Sequence, residues 1–239
     1  MSAAAAAHAA SSLVRLIADR GKARVVVATA ASQLEFQRAL ADRTDVDWSK
    51  VEIFQLDEYL GLPLGHPASF RKLLYENVVQ PTGTPKVHVI DPADATGTRE
   101  ALRQAITNGG VDLAFLGIGE NGHLAFNDPP ADFQTTDPYI VVTLDTACRQ
   151  QQVGEGWFAT IDEVPKQAVS MSIRQMLSAR EIIVIVPDAR KAEAVRGTLE
   201  ADISPHIPAS ILRTHKNVTL YVDEAAASLL KTETKTRFS

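Results

Sequence analysis

The chain has 239 residues, 45% apolar and 22% charged, with a formal net charge of −5. That is enough to bury one sizeable core, and the negative balance excludes the basic footprint that nucleic acid or an anionic membrane surface requires. A single cysteine, Cys148, excludes an intrachain disulfide; with no CxxC or clustered His/Cys spacing, no metal site is expected either, and a reducing cytoplasm suits the composition.

Residues 2–10, SAAAAAHAA, are alanine-rich but lack the branched apolar core of a secretion signal, and they predict a helix over about Ala3 to Asp19. No run of ~18 apolar residues exists, so no membrane span is expected. ARVVVA (23–28) reads as a buried strand. SQLEFQRALADR (32–43) reads as a helix, with Ser32 as N-cap and Glu35 as its capping-box partner. VEIFQL (51–56) is the second strand, followed by a helix near Ser69–Val78, a third strand VHVI (87–90) and a helix over Thr98–Thr107. VDLAFLGI (111–118) is apolar enough for a central strand, and PYIVVTL (138–144) reads as a fifth. QAVSMSIRQMLSA (167–179) places Val169, Ile173, Met176 and Leu177 on one helical face. The strand EIIVIV (181–186), a helix from 188 to about Arg196, where Gly197 interrupts it, and the strand VTLYV (218–222) complete the series. Strands alternating with helices predict one α/β domain over residues 1–230. Its sheet is open and mostly parallel with helices on both faces, Rossmann-like. The polar tail, 231–239, is expected to be disordered.

Two strand exits carry chemistry. GIGENGHLAFNDPP (117–130) follows the fourth strand, and ligands of open α/β sheets bind beyond the carboxyl ends of strands. Gly119 and Gly122 let backbone approach a ligand closely. His123 is of the side-chain type suited to acid/base work, and Asp128 lies within reach to orient it. Taken alone, the stretch reads equally as a turn. LDEYLGLP (56–63) places Asp57 and Glu58 directly after the second strand, as candidates for a general base or as a cap for the following segment. Together the two exits argue for a convergent acid/base site.

With these residues in view, LGIGENGHLAFNDP and LDEYLGL resemble the two catalytic segments of the glucosamine-6-phosphate deaminase (isomerase) family, whose superfamily includes 6-phosphogluconolactonases. The similarity continues through TIDEVPKQAVSMSIRQML, DARKAEAVRG and IPASILRTHKNVTLYVD. The resemblance implies conversion of an amino sugar phosphate to a ketose phosphate and ammonia, with no cofactor and no metal. Asp57 would move a proton between C2 and C1, and His123, backed by Asp128, would open the sugar ring. Asn121 would position water or a hydroxyl. Glu58, Gly119 and Gly122 would contact substrate.

The phosphate end departs from the family pattern. A TGGTP-type turn after the first strand is replaced by ATAASQLEF, which keeps Thr29 and Ser32. An arginine before an aromatic–Phe pair is replaced by Gly156 in GEGWF. Lys191 matches the family's phosphate lysine, and Arg190 or Arg149 is a candidate for the missing charge. A lactonase, or a sugar-phosphate sensor without turnover, remains an alternative. The sequence leaves a homo-oligomer open.

Overall fold

The computed structural model describes residues 1–237. The helix α1 (Ser2–Arg20) ends at Gly21, whose left-handed backbone lets its N–H bond Ile17 O. The sheet strands β1 (Ala23–Val27), β2 (Val51–Gln55), β4 (Lys86–His88), β5 (Leu113–Leu116), β8 (Glu181–Val186) and β9 (Val218–Val222) run parallel in the order β4-β2-β1-β5-β8-β9. α2 (Leu34–Ala41), α5 (Ala95–Thr107) and α8 (Ala192–Glu200) provide crossovers. α3 (Phe70–Leu74) runs through a π turn, Tyr75–Val79, into α4 (Gln80–Thr82).

Strand alternation divides the core between the two faces of this sheet. Val25 and Val27 pack with Ala5, Ala9 and Leu13 of α1 and Phe36 of α2. Val26 faces the other way, among Leu102 and Ile106 of α5 and Val195 of α8. Each large apolar side chain buried there contributes roughly 1.5–3 kcal/mol. The expected single α/β architecture, mostly parallel and covered on both faces, is the one observed.

A second sheet was not expected. β3 (Asp57–Tyr59), β7 (Gln167–Met171) and β6 (Tyr139–Thr143) form an antiparallel triplet in the order β3-β7-β6. The chain leaves the parallel sheet at Leu56, whose carbonyl accepts the Met171 N–H, and enters β3 at once. The segment 167–179 is therefore a strand followed by the short helix α7 (Ile173–Leu177), not one helix. Ser172 separates the two by capping α7 through the Gln175 N–H, so the apolar spacing seen in the sequence straddles a junction.

Other boundaries differ too. Ser32 lies inside a 3-10 turn, Ala31–Gln33, and caps nothing; Glu35 accepts Ser2 Oγ instead. α8 runs through Gly197 to Glu200. α6 (Thr146–Gly154), absent from the expected series, is capped by Asp145 through the Cys148 N–H. The tail expected to be disordered carries α9 (Thr232–Arg237), tied back by Thr234 Oγ1 and the Lys231 N–H to Glu200. Phe238 and Ser239 lie outside the described residues.

One buried charge row crosses three strands. Parallel register sets Glu52 opposite Arg24 and Lys86, and Glu52 also meets His88 Nε2 at 2.8 Å. Burial pushes the Glu52 carboxyl up, but hydrogen bonds from Arg24, His88 and Lys86 outweigh it and hold the group at about 2. An unfolded glutamate titrates near ~4.3, so between these values the unfolded chain binds the proton more tightly. Stability is therefore expected to fall as pH drops from ~4.5 towards 2. Denaturant midpoints measured across that window should decline less steeply in Glu52→Gln than in the unaltered protein.

Candidate active site

β1 is followed on one side by β2 and β4, and on the other by β5, β8 and β9. The order reverses between β1 and β5, and such a switch point opens a crevice beyond the strand ends. A cleft of about 470 Å³, measured to its open mouth, lies there. Asp57 and His123, which sequence alone placed 66 residues apart, both line it.

Asp57 stands where β2 peels away from the parallel sheet. Gln55 holds that bend: its Nε2 donates to Asp57 O and its Oε1 accepts the Ile90 N–H. The Asp57 side chain is 5% exposed. Burial first, and the neighbouring Glu58 charge second, raise its carboxyl well above the ordinary range. This is the environment of a base kept strong by poor solvation.

Glu58 does something else. Adjacent residues of a strand point to opposite faces, and Glu58 points into the protein, fully buried. It accepts the Phe70 and Arg71 N–H groups at 3.2 and 2.7 Å and Ser69 Oγ at 3.0 Å. Burial raises its carboxyl, and these bonds only partly counter that. It caps α3 and does not line the cleft, so the expected substrate contact is replaced by a structural one. Ser69 and Arg71 belong to that cap.

The second strand exit folds tightly on itself. The Gly119 N–H bonds His123 O, and the Gly122 N–H bonds Gly119 O. A Cβ on Gly119 would lie 2.2 Å from His123 Nε2, so only glycine leaves room for the imidazole. Gly119 lines the cleft as expected. Gly122 does not: its positive φ, 84°, makes the turn, and its carbonyl accepts the Ala209 N–H.

His123 Nδ1 sits 3.0 Å from Asp128 Oδ1, although the ring N–H does not meet that oxygen squarely. Burial pushes the Asp128 carboxyl up; the His123 contact and the Asp145 N–H and Asn121 amide outweigh it, leaving the group below its usual range. Asn121 is engaged here rather than with substrate. Its Nδ2 bonds Asp128 and Asp145, and its Oδ1 accepts the His123 N–H. Asn121 thus positions the His–Asp pair, and its expected place against water or a hydroxyl is corrected.

Five residues expected at an anion end divide unevenly. Thr29, Ser32 and Lys191 line the cleft. Thr29 Oγ1 is buried without a partner. Lys191 is 3% exposed, and burial lowers its ammonium, partly offset by Glu155 and Glu120. Arg190 lies outside the cleft, paired with Asp188 at 3.0 Å and facing Glu120 at 3.7 Å. Arg149 is spent on the Ile161 and Val164 carbonyls. Among the described residues lining the cleft, Lys191 is the only cation.

Sequence reasoning missed α6 as a cleft wall. Its inward face is polar — Cys148, Gln151 and Gln152 are buried — so no apolar period marked it. The capping aspartate, Asp145, was the one readable signal. Gln151 Oε1 accepts the Glu120 N–H and locks the wall to the His123 loop. His123, Asp128 and Cys148 bring donor atoms within 4.8 Å of one another. The Cys148 thiol is pushed far up by burial and by Asp128 and Asp145.

Known proteins resemble this chain in sequence and in fold. A glucosamine-6-phosphate deaminase of Streptomyces avermitilis is 35% identical over 230 residues, covering 93% of this chain and 87% of that protein. One from Lactobacillus delbrueckii subsp. bulgaricus is 33% identical, covering 89% and 90%. Among solved structures, a monomeric glucosamine-6-phosphate deaminase superposes with a TM-score of 0.85 at 31% identity, covering 96% of this chain and 95% of the other. A 6-phosphogluconolactonase from Thermotoga maritima, 18% identical with a TM-score of 0.75 over 91% and 92%, shares the fold. The family model described as glucosamine-6-phosphate isomerases/6-phosphogluconolactonase matches residues 1–221, and the chain belongs to that family.

Proposed function

We propose that the protein is a glucosamine-6-phosphate deaminase, converting glucosamine 6-phosphate and water to fructose 6-phosphate and ammonia. The observation that carries this reading is the meeting of Asp57, a buried carboxylate with no hydrogen-bond donor on it among the described residues, and His123 in one cleft that also holds Lys191.

His123 moves a proton to the ring oxygen as the C1 hydroxyl loses one, opening the pyranose. Asp128 beside it supports the positive charge that develops on the imidazole. Asp57 then removes the C2 proton; that electron pair forms a C1–C2 double bond while the C1 carbonyl pair moves onto its oxygen, which takes a proton from solvent, giving an enolamine. The same carboxylic acid returns the proton to C1, leaving an imine at C2 that water hydrolyses to the ketone and ammonia. One carboxylate serves both carbons because they are bonded neighbours. Each proton transfer by a placed group contributes roughly 10²–10⁴-fold. Thr29, Ser32 and Lys191 hold the phosphate, with Lys191 as the counter-charge. A cytoplasmic setting is part of the proposal, on the single reduced cysteine.

Hydrolysis of a lactone needs one base for water and no hydrogen abstraction from carbon, and so leaves one of the two groups, Asp57 or His123, without a task. The test is direct. Purified protein with glucosamine 6-phosphate should release ammonia and form fructose 6-phosphate in equal amounts. Hydrolysis of 6-phosphogluconolactone without ammonia release from the amino sugar would replace this reading with a lactonase.

A further inference from the structure

Gln152 lies on the cleft wall, 4% exposed, and its carboxamide bonds no group among the described residues. Buried polar groups are ordinarily paired. Its neighbours on α6 are: Gln151 is tied to Glu120 and Glu155, and Glu155 also holds the Trp157 indole N–H. The backbone at Gln152 is fixed as well, because its carbonyl accepts the Trp157 N–H where the helix ends in the Gly156 turn. A rigid backbone thus presents an unused amide to the cleft.

The charge around it indicates what it meets. Glu155, which caps the C-terminal end of α6, acts on the Lys191 ammonium through its charge. Ser32, Glu155 and Lys191 also line a second hollow that adjoins the cleft. Gln152 therefore stands on the side of the cleft where Lys191 is the only lining cation. A phosphate dianion presents three acceptor oxygens, more than one ammonium satisfies. Thr29 Oγ1, also buried and unpartnered, supplies a second donor.

We infer that Gln152 is a substrate-binding residue whose amide N–H donates to the phosphate, as a neutral complement to Lys191. This rests on the deaminase reading for its substrate but not for its anion. A glutamine recognises phosphate by hydrogen bonding while adding no charge, so affinity here depends on donor geometry more than on net attraction.

The test compares Gln152→Glu with Gln152→Ala. Glutamate is nearly isosteric, so a packing role alone predicts near-normal behaviour for it. The inferred role predicts the opposite order. KM for glucosamine 6-phosphate and the inhibition constant of inorganic phosphate should rise together, about tenfold in the alanine variant and about a hundredfold in the glutamate variant. Loss of kcat should be smaller than the rise in KM. Phosphate-induced shifts of the melting temperature give the same comparison without turnover. If the unaltered protein releases no ammonia but the glutamate variant still loses the phosphate shift, the deaminase reading fails and the anion contact stands. If both variants bind phosphate as the unaltered protein does, or only kcat changes, Gln152 is not a phosphate ligand.

Discussion

Asp57→Asn is expected to lower ammonia release by about 10³-fold while raising the melting temperature. The two effects share one cause. The Asp57 carboxylate is buried, lies beside the charge of its chain neighbour Glu58 and, among the described residues, has no donor bonded to it. Such a carboxylate resists ionisation in the folded state more than in the unfolded chain. The raised value means that stability is fully present below the ordinary aspartate range and is lost as pH rises through the folded value. At neutral pH the ionised group therefore weighs on the fold, and the isosteric amide removes that burden. A gain of about 1–2 kcal/mol is expected, or roughly 2–8 °C for a domain of this size. The base must be ionised to act, so kcat/KM should rise with pH along an acid limb lying above the ordinary aspartate value near ~4. Initial rates and thermal melts on the two proteins decide the matter. Undiminished release would remove Asp57 as the base, and a lowered melting temperature would mean that its carboxylate holds structure.

Glu58→Ala, one residue away, is expected to do the reverse. Glu58 accepts the Tyr59, Phe70 and Arg71 N–H groups and Ser69 Oγ. Truncation strands these donors in a region that includes the buried rings of Tyr59, Phe70 and Phe126. Leaving buried donors unpaired costs about 1–3 kcal/mol each, and a total loss of at least 3 kcal/mol is expected, well above that of an ordinary surface change. The remaining folded protein should keep its phosphate affinity, because Glu58 does not touch the cleft. Chemical denaturation of the variant, alongside phosphate binding, measures both. A stable variant with weakened phosphate binding would restore Glu58 to the substrate site and overturn its assignment as a cap.

The contrast between these neighbours explains how far the sequence could be read. LDEYLGL placed two carboxylates at a strand exit, and nothing in the string separates them. What separates them is the pairing of β3 with β7, which sets one side chain over the cleft and turns the next into the protein. Asn121 is a similar case. Its residue type suits a ligand contact, but both its amide hydrogens are spent on Asp128 and Asp145 and its oxygen accepts the His123 N–H, so no donor is left to offer. Arg149 and Arg190 read as spare cations until their partners are seen. Gln152 gave no signal, since a glutamine in a polar helix is unremarkable until its neighbours are paired and it is not.

The parallel strands, their helices and the dyad His123–Asp128 were determined by the sequence itself. Runs such as ARVVV and EIIVIV must be buried on both faces, and although GIGENGHLAFNDPP alone reads equally as a turn, its likeness to a family's catalytic segment and the short spacing of His123 and Asp128 already paired the two. The tertiary structure alone decided which polar residues face substrate. A carboxylate, amide or guanidinium serves as cap, strut or ligand with equal chemistry, and only the groups brought around it across the sheet leave one of those roles open.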